Sequence, residues 1–279
     1  MNRRSKIPAS FTFSQSSLQD YADCPRRFLL RYVDQLSWPA VESEPVVENE
    51  QRQQEGQVFH RLAQQHLLGL PAEDLARLAN TPNLSRWWNS FTSTDFGLSG
   101  YAQHTELSLS CPLASDAGSY RLLAKYDLVA TRDGQVLIYD WKTSIRRPKD
   151  EWLAARWQTR VYRALIVRAG AYLNGGKPFE PEQVTMTYWF ADFPSEPAAF
   201  KYDAKQYERD WAAIEQAARE ISSATEFPLT PDEKKCRFCT YRSYCDRGTK
   251  AADWNADESD TDAVATFDVN FEQIGEIEF

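Results

Sequence analysis

LLAKYDLVATRDGQVLIYDWKT, residues Leu122 to Thr143, holds two apolar runs on either side of Asp133-Gly134. An Asp-Gly pair between β-rich runs is the strongest short-range hairpin signal, so the stretch predicts two antiparallel strands. Asp127 lies in the first strand, and Asp140 and Lys142 lie in the second. Two residues apart, Asp140 and Lys142 leave the same face of a strand. Two carboxylates held about 4 Å apart repel by roughly 4 kcal/mol at an effective dielectric near 20, which favours something positive between them. A hard divalent cation such as Mg²⁺ or Mn²⁺ suits oxygen ligands and commonly takes one or two carboxylates. Lys142 would then be free to touch an attacking water or a phosphate. The alternative is an ordinary surface pair on a half-exposed strand.

Outward from the hairpin, Tyr101 to Ser110 alternates as a strand, with Thr105, Leu107 and Leu109 on one face and His104, Glu106 and Ser108 on the other. It is the expected neighbour of the Asp127 strand. Downstream, Asp150 to Ala169 reads as one helix with Leu153, Trp157, Val161 and Leu165 on its apolar stripe. A strand is expected over Gln183 to Phe190, and strand, helix, strand is a crossover unit that makes this pair parallel. Lys205 to Ala224 is helical on Tyr207, Trp211, Ile214, Ala218 and Ile221.

Upstream, Ser14 to Leu36 opens with serine caps, forms a short helix ended by Cys24-Pro25, and resumes from Arg26 to Tyr32. Trp38 to Glu50, rich in Pro and Glu, reads as a loop. Arg52 to Leu70 carries Val58, Phe59, Leu62, Ala63 and Leu67 as a helical stripe closed by Pro71, with His60 one turn after Gly56. Two shorter helices are expected at Glu73 to Asn80 and Leu84 to Phe91. The coarse picture is a mixed sheet with helices packed on it.

A chain of 279 residues with 42% hydrophobic content supports one large domain or two modest ones. The net charge of -8 argues against a nucleic-acid partner only until its distribution is read. From Asp253 to Phe279 there are 9 acidic residues and no Lys or Arg, which leaves a nearly neutral body able to present a basic groove. The expected organisation is a body over 1–252 and an acidic, flexible tail over 253–279. No run is apolar enough for a signal peptide or a membrane span, so a cytoplasmic protein is expected. In that reducing setting clustered thiols bind metal more often than they pair.

CRFCTYRSYC supplies Cys236, Cys239 and Cys245, a three-ligand half-site that needs a fourth. Cys24 and Cys111 are the candidates. Cys24, before a proline in an Arg/aromatic-rich turn, is favoured. Such a clip would join segments far apart in sequence and remove roughly 4 to 5 kcal/mol of unfolded-chain entropy. Ligand counting leaves zinc and iron–sulfur both open.

The motifs SSLQDYADCPRRF, GQVFH, KYDLV, IYDWKT, QTRVY and CRFCTYRSYC, in this order from Ser16 to Cys245, resemble the RecB-like branch of the PD-(D/E)XK nucleases. The likeness is to the iron–sulfur subset, which includes the AddB nuclease domain and the CRISPR-associated nucleases of spacer acquisition. It implies a restriction-endonuclease-like α/β fold, a mixed central sheet flanked by helices, with an iron–sulfur-stapled lobe joining the N- and C-terminal parts. It also implies that His60, Asp127, Asp140 and the carbonyl of Trp141 hold Mg²⁺ or Mn²⁺. Lys142 would orient water and steady charge on phosphate, and Gln158 and Tyr162 would match the family's QxxxY motif. Cys24, Cys236, Cys239 and Cys245 would hold a [4Fe–4S] cluster, with zinc the alternative.

The expected activity is metal-dependent hydrolysis of DNA, at ends or on single strands, more as an exonuclease than an endonuclease. The alternative is a non-catalytic DNA-binding or assembly subunit of a repair, helicase-nuclease or defence complex. DNA is the expected partner, a helicase a possible second one, and the chain has no Walker A motif of its own. Arg26 and Arg27 are open to phosphate contact or to capping a solvated helix.

Overall fold

The computed structural model describes residues 6–37, 44–114, 118–237 and 239–248. The acidic tail expected over 253–279 lies outside the described residues, as do residues 38–43 of the loop expected before the His60 helix. In chain order the elements are β1 (Thr12–Ser14), α1 (Gln15–Asp23), α2 (Pro25–Phe28), α3 (Glu44–Leu67), α4 (Ala72–Ala76), α5 (Pro82–Thr92), β2 (Ala102–Leu113), β3 (Tyr120–Arg132) and β4 (Gln135–Lys142). They continue with α6 (Asp150–Ala155), α7 (Trp157–Ala169), β5 (Val184–Phe190), β6 (Phe193–Lys201) and α8 (Ala204–Ser223).

The hairpin forms where the Asp-Gly pair predicts it. Asp133 and Gly134 take φ of 50° and 80°, and Arg132 pairs directly with Gln135, as a tight two-residue turn requires. The crossover also forms: β4 and β5 are parallel, with Asp140 beside Tyr188 and Lys142 beside Phe190. β6, which the sequence reading missed, is an antiparallel edge strand on β5. Its Pro194 and Pro197 hide it from propensity reasoning and are tolerated because an edge strand has unpaired positions.

β3 is the axis of the sheet. β2 runs antiparallel along one of its edges from Tyr120 to Thr131. The opposite edge is shared: β1 pairs in parallel with Arg121 to Leu123, and β4 pairs antiparallel with Leu128 to Arg132. Between them, residues 124 to 127 of β3 have no strand partner on that edge. The carboxyl ends of β1 and β4 approach this gap from opposite directions.

Two hydrophobic cores cover the two faces of the sheet. The larger joins Phe13, Leu122, Tyr126, Ile138 and Met186 to Leu18 of α1, Val161 and Leu165 of α7 and Ile214 of α8. The smaller is aromatic, with Phe59 of α3, Trp87, Trp88 and Phe91 of α5, and Leu128, Trp141 and Trp189 from the strands. Helices on both faces of a mixed sheet make an α/β sandwich.

Three expectations about the helices need correction. The segment read as a loop to Glu50 is helical from Glu44, because Pro45 is tolerated in a first turn and the following Glu and Gln residues favour helix. Val58, assigned to the buried stripe, is 40% exposed, and Phe59, Leu62 and Ala63 carry the contact instead. The helix expected over Asp150 to Ala169 breaks at Arg156, whose backbone is extended. There the Trp157 N–H donates to Gln19 Oε1, and the Thr159 hydroxyl donates to the Leu153 carbonyl, replacing bonds of a continuous helix. The break makes Trp157 and Gln158 the start of α7.

Candidate active site

The gap in β3 is where the sequence-predicted site residues meet. The β3–β4 ladder ends at Leu128 and Tyr139, one step before Asp127 and Asp140 would face each other. Released from the ladder, Asp127 Oδ2 accepts the backbone N–H of Trp141 at 2.8 Å. Its other oxygen, Oδ1, lies 3.2 Å from His60 Nδ1.

His60 reaches Asp127 because α3 lies close to the end of β4. A Cβ on Gly56 would stand 2.9 Å from Thr143 Oγ1, so a larger side chain there would displace Thr143 or lift α3. Arg52 secures the same approach, donating from Nε and Nη2 to the Thr143 carbonyl at 2.9 and 2.6 Å and from Nη2 to Asp192 Oδ2 at 2.6 Å. Asp192 also accepts from Arg86 Nε and Trp87 Nε1, each at 2.9 Å. Arg52, Gly56 and His60 are spaced by four and share one face of α3. That spacing is visible in the sequence, whereas Asp192, just after β5, has no local signal.

On the opposite side, α7 supplies Gln158. Its Nε2 donates to Asp140 Oδ1 at 2.7 Å and its Oε1 accepts from Lys142 Nζ at 3.0 Å, while Lys142 Nζ lies 2.8 Å from Asp140 Oδ2. Two hydrogen bonds and an ion pair thus join Asp140, Lys142 and Gln158 in a ring. Lys142, expected to be free for water, is engaged in that ring. Its ammonium also stands 5.3 Å from the ring centroid of Tyr188, whose hydroxyl is 2.7 Å from Thr159 Oγ1. Tyr162 lies one step removed: its hydroxyl donates to the Lys125 carbonyl at 2.6 Å, satisfying a backbone oxygen in the stretch of β3 between its β1 and β4 pairings.

The electrostatics follow from burial in company. Burial alone would lower the pKa of His60, but the Asp127 carboxylate outweighs it and the imidazolium is favoured above the ordinary histidine value. Burial would raise Asp127, and the adjoining His60, with the Trp141 N–H and Lys142, holds it below the ordinary carboxylate value instead. Two carboxylates, an imidazole and nearby backbone oxygens make a donor set of the kind hard divalent cations take. Among the described residues, no group of three or more His, Cys, Asp or Glu side chains stands close enough together to hold a metal ion.

The cysteines gather on another part of the molecule. Cys24 and Cys236 are buried, Cys239 and Cys245 are half-buried, and all are free thiols. Burial, then the neighbouring thiols Cys239 and Cys24, raises Cys236, and the same causes push Cys245 up to about 11. The four are close enough to feel one another, yet they do not form a closed metal site. Cys111 is remote from this group, buried at 5% exposure on β2. Around Cys24 the two ends of the body are sewn together: the Arg26 N–H and Nε donate to the carbonyls of Pro228 and Phe227, and the Tyr241 hydroxyl donates to the Leu36 carbonyl. Arg27, open to phosphate contact on the sequence alone, is instead covered and paired with Asp20 and Asp23 at 2.8 and 3.0 Å. No helix among the described residues is long and apolar enough to cross a membrane.

Residues 12–246 match the family described as the PD-(D/E)XK nuclease superfamily. Among solved structures, SSO0001 is similar at 11% identity with a TM-score of 0.40, over 84% of this chain and 85% of that one. A candidate exonuclease from Eubacterium rectale is similar at 10% identity with a TM-score of 0.46, over 82% of this chain and 85% of that one. Comparison with curated proteins gave no match.

Proposed function

Because the chain belongs to the PD-(D/E)XK nuclease superfamily, we propose that it is a divalent-metal-dependent deoxyribonuclease of the RecB-like branch, acting on DNA ends or single strands. The observation that carries the reading is the convergence of His60, Asp127, Asp140, Lys142 and Gln158 on the stretch of β3 between its β1 and β4 pairings. Members of this superfamily generally use Mg²⁺ or Mn²⁺. Held by His60, Asp127, Asp140 and the Trp141 carbonyl, such an ion would supply charge neutralisation at the scissile phosphate and acidify a water.

The chain's own groups do the rest. Lys142 supplies a positive charge beside the carboxylates, where negative charge develops on the phosphate oxygens. Gln158 fixes Lys142 and Asp140 relative to each other, so neither must be oriented at the moment of reaction. Tyr188 backs the ammonium with its ring face. Tyr162 keeps the open stretch of β3 in place by holding the Lys125 carbonyl.

The four thiols Cys24, Cys236, Cys239 and Cys245 are proposed as ligands of a structural [4Fe–4S] cluster, with zinc the alternative. Supporting this, two segments far apart in sequence bring Cys24 near enough to the other three thiols to add, beside the larger effect of burial, to their raised pKa. Exonuclease action and a helicase partner belong to the same proposal. The test is anaerobic purification with iron and zinc content measured, followed by Mn²⁺-dependent digestion of free-ended and end-blocked DNA. Lys142→Ala is expected to abolish digestion without unfolding the protein; full activity of that variant would refute the assignment.

A further inference from the structure

Four described non-glycine residues have positive φ: Gln35, Glu106, Asp133 and Asp246. Three lie outside strands, and only Glu106, at φ 52°, lies inside one. A left-handed backbone is unfavourable for a residue with a long side chain and persists only where its surroundings impose it. Its position is specific. The β2–β3 ladder pairs Thr105 with Leu128 and Leu107 with Tyr126, and skips the rung between them, Glu106 and Asp127.

The skipped rung is where the sheet turns over. Tyr126 and Val129 both pack in the larger core, although residues three apart cannot share a face of a regular strand. Leu128, which should follow Tyr126, packs in the aromatic core on the other face. β3 therefore exchanges faces at Asp127. β2 keeps its register throughout, which is possible only if it exchanges faces at the same rung, and Glu106 is the residue whose backbone does so.

We infer that Glu106 is a positioning residue that acts through its backbone: its left-handed conformation lets β2 turn over in step with β3 and so aims Asp127 out of the ladder toward Trp141 and His60. The inference rests on the nuclease reading only for its consequence in catalysis. The Glu106 carboxylate, 2.5 Å from Lys125 Nζ, secures the turn but is not what makes it.

The test compares Glu106→Gly and Glu106→Asn, which accept the left-handed region, with Glu106→Val, which does not. Lys125→Ala serves as the control for the ion pair. The first readout is hydrogen exchange of the Trp141 amide, which Asp127 Oδ2 holds. Protection is expected to be kept or raised in the Gly and Asn variants and to fall by about tenfold or more in the Val variant. The second is the Mn²⁺ concentration for half-maximal DNA cleavage, expected to rise only in the Val variant.

Unchanged Trp141 protection in Glu106→Val overturns the inference, as does equal loss in the Gly, Asn and Lys125→Ala variants, which would assign the effect to the carboxylate. Should Glu106→Val fail to fold, the Gly variant still decides: exchange slower than or equal to wild type supports the inference and faster exchange overturns it. If the exchange pattern holds but wild type cleaves no DNA, the nuclease reading fails and the backbone inference stands.

Discussion

Replacing Gly56 with alanine tests whether the approach of α3 to β4 sets the active site. The new Cβ would stand 2.9 Å from Thr143 Oγ1, several tenths of an ångström inside van der Waals contact. Thr143 carries two heavy atoms on its Cβ, so only one of its three staggered wells clears the position. Otherwise α3 must lift. Stability should fall by no more than about 2 kcal/mol, because alanine gains about 1 kcal/mol of helix propensity over glycine and local overpacking costs about 1–3 kcal/mol.

Activity should change more. His60 is 3.2 Å from Asp127, and a shift of 1 Å in a catalytic array can lower rate by about 10²-fold, so half that shift predicts roughly tenfold. Thr143→Ala removes the obstructing hydroxyl and leaves its Cβ at an ordinary 4.0 Å, so the double variant should recover. The assay is Mn²⁺-dependent cleavage of end-labelled linear DNA, run as a double-mutant cycle beside thermal unfolding, with a coupling of about 1 kcal/mol or more expected. Wild-type cleavage by Gly56→Ala, or a double variant as impaired as the single one, would refute the reasoning.

Further expectations concern charge. In the metal-free protein, the raised His60 pKa stabilises fully below its ordinary 6.5 and is lost as pH rises through the folded value, while the lowered Asp127 pKa stabilises above its ordinary 3.8 and is lost as pH falls through the folded value. The difference in melting temperature between wild type and Asp127→Asn should therefore be widest between those two ordinary values and narrow on either side. Asp210 is 2% exposed and 3.4 Å from Arg163 Nη2, so Asp210→Ala leaves a buried guanidinium uncompensated and should destabilise by about 3–5 kcal/mol in urea unfolding. With Cys245 pushed up to about 11 from an ordinary 9.0, its alkylation by iodoacetamide in the metal-free protein at pH 8 should be about 100-fold slower than that of an unperturbed thiol. Labelling at the unperturbed rate, followed by mass spectrometry, would contradict the burial described for that turn.

The hairpin, the parallel crossover and the shared face of Asp140 and Lys142 were legible because each rests on local chemistry: a turn dipeptide, a helical stripe, a spacing of two; the place of His60 beside Asp127 was expected only from the family resemblance. What escaped the sequence has nonlocal causes. The break at Arg156 is held open by Gln19, and β6 exists because β5 offers it an edge. The face exchange at Glu106 was invisible, because alternation looks regular on either side of it and only the packing of Tyr126 and Val129 on one core reveals it. Cys24, expected as the fourth thiol, lies near the C-terminal three, whereas Cys111 is committed to the larger core.

The seam beside Cys24 has a temporal side. Arg26 donates to a carbonyl 201 residues later, and the Leu36 carbonyl waits for Tyr241, 205 residues later. At a translation speed of about 5–20 residues per second, the turn around Cys24 spends roughly 10–40 s outside the ribosome before these partners emerge. During synthesis, then, the cysteine-bearing turn is an unfinished surface, and a chain stalled before Phe227 has made its whole sheet and none of the stitches that hold its beginning to its end.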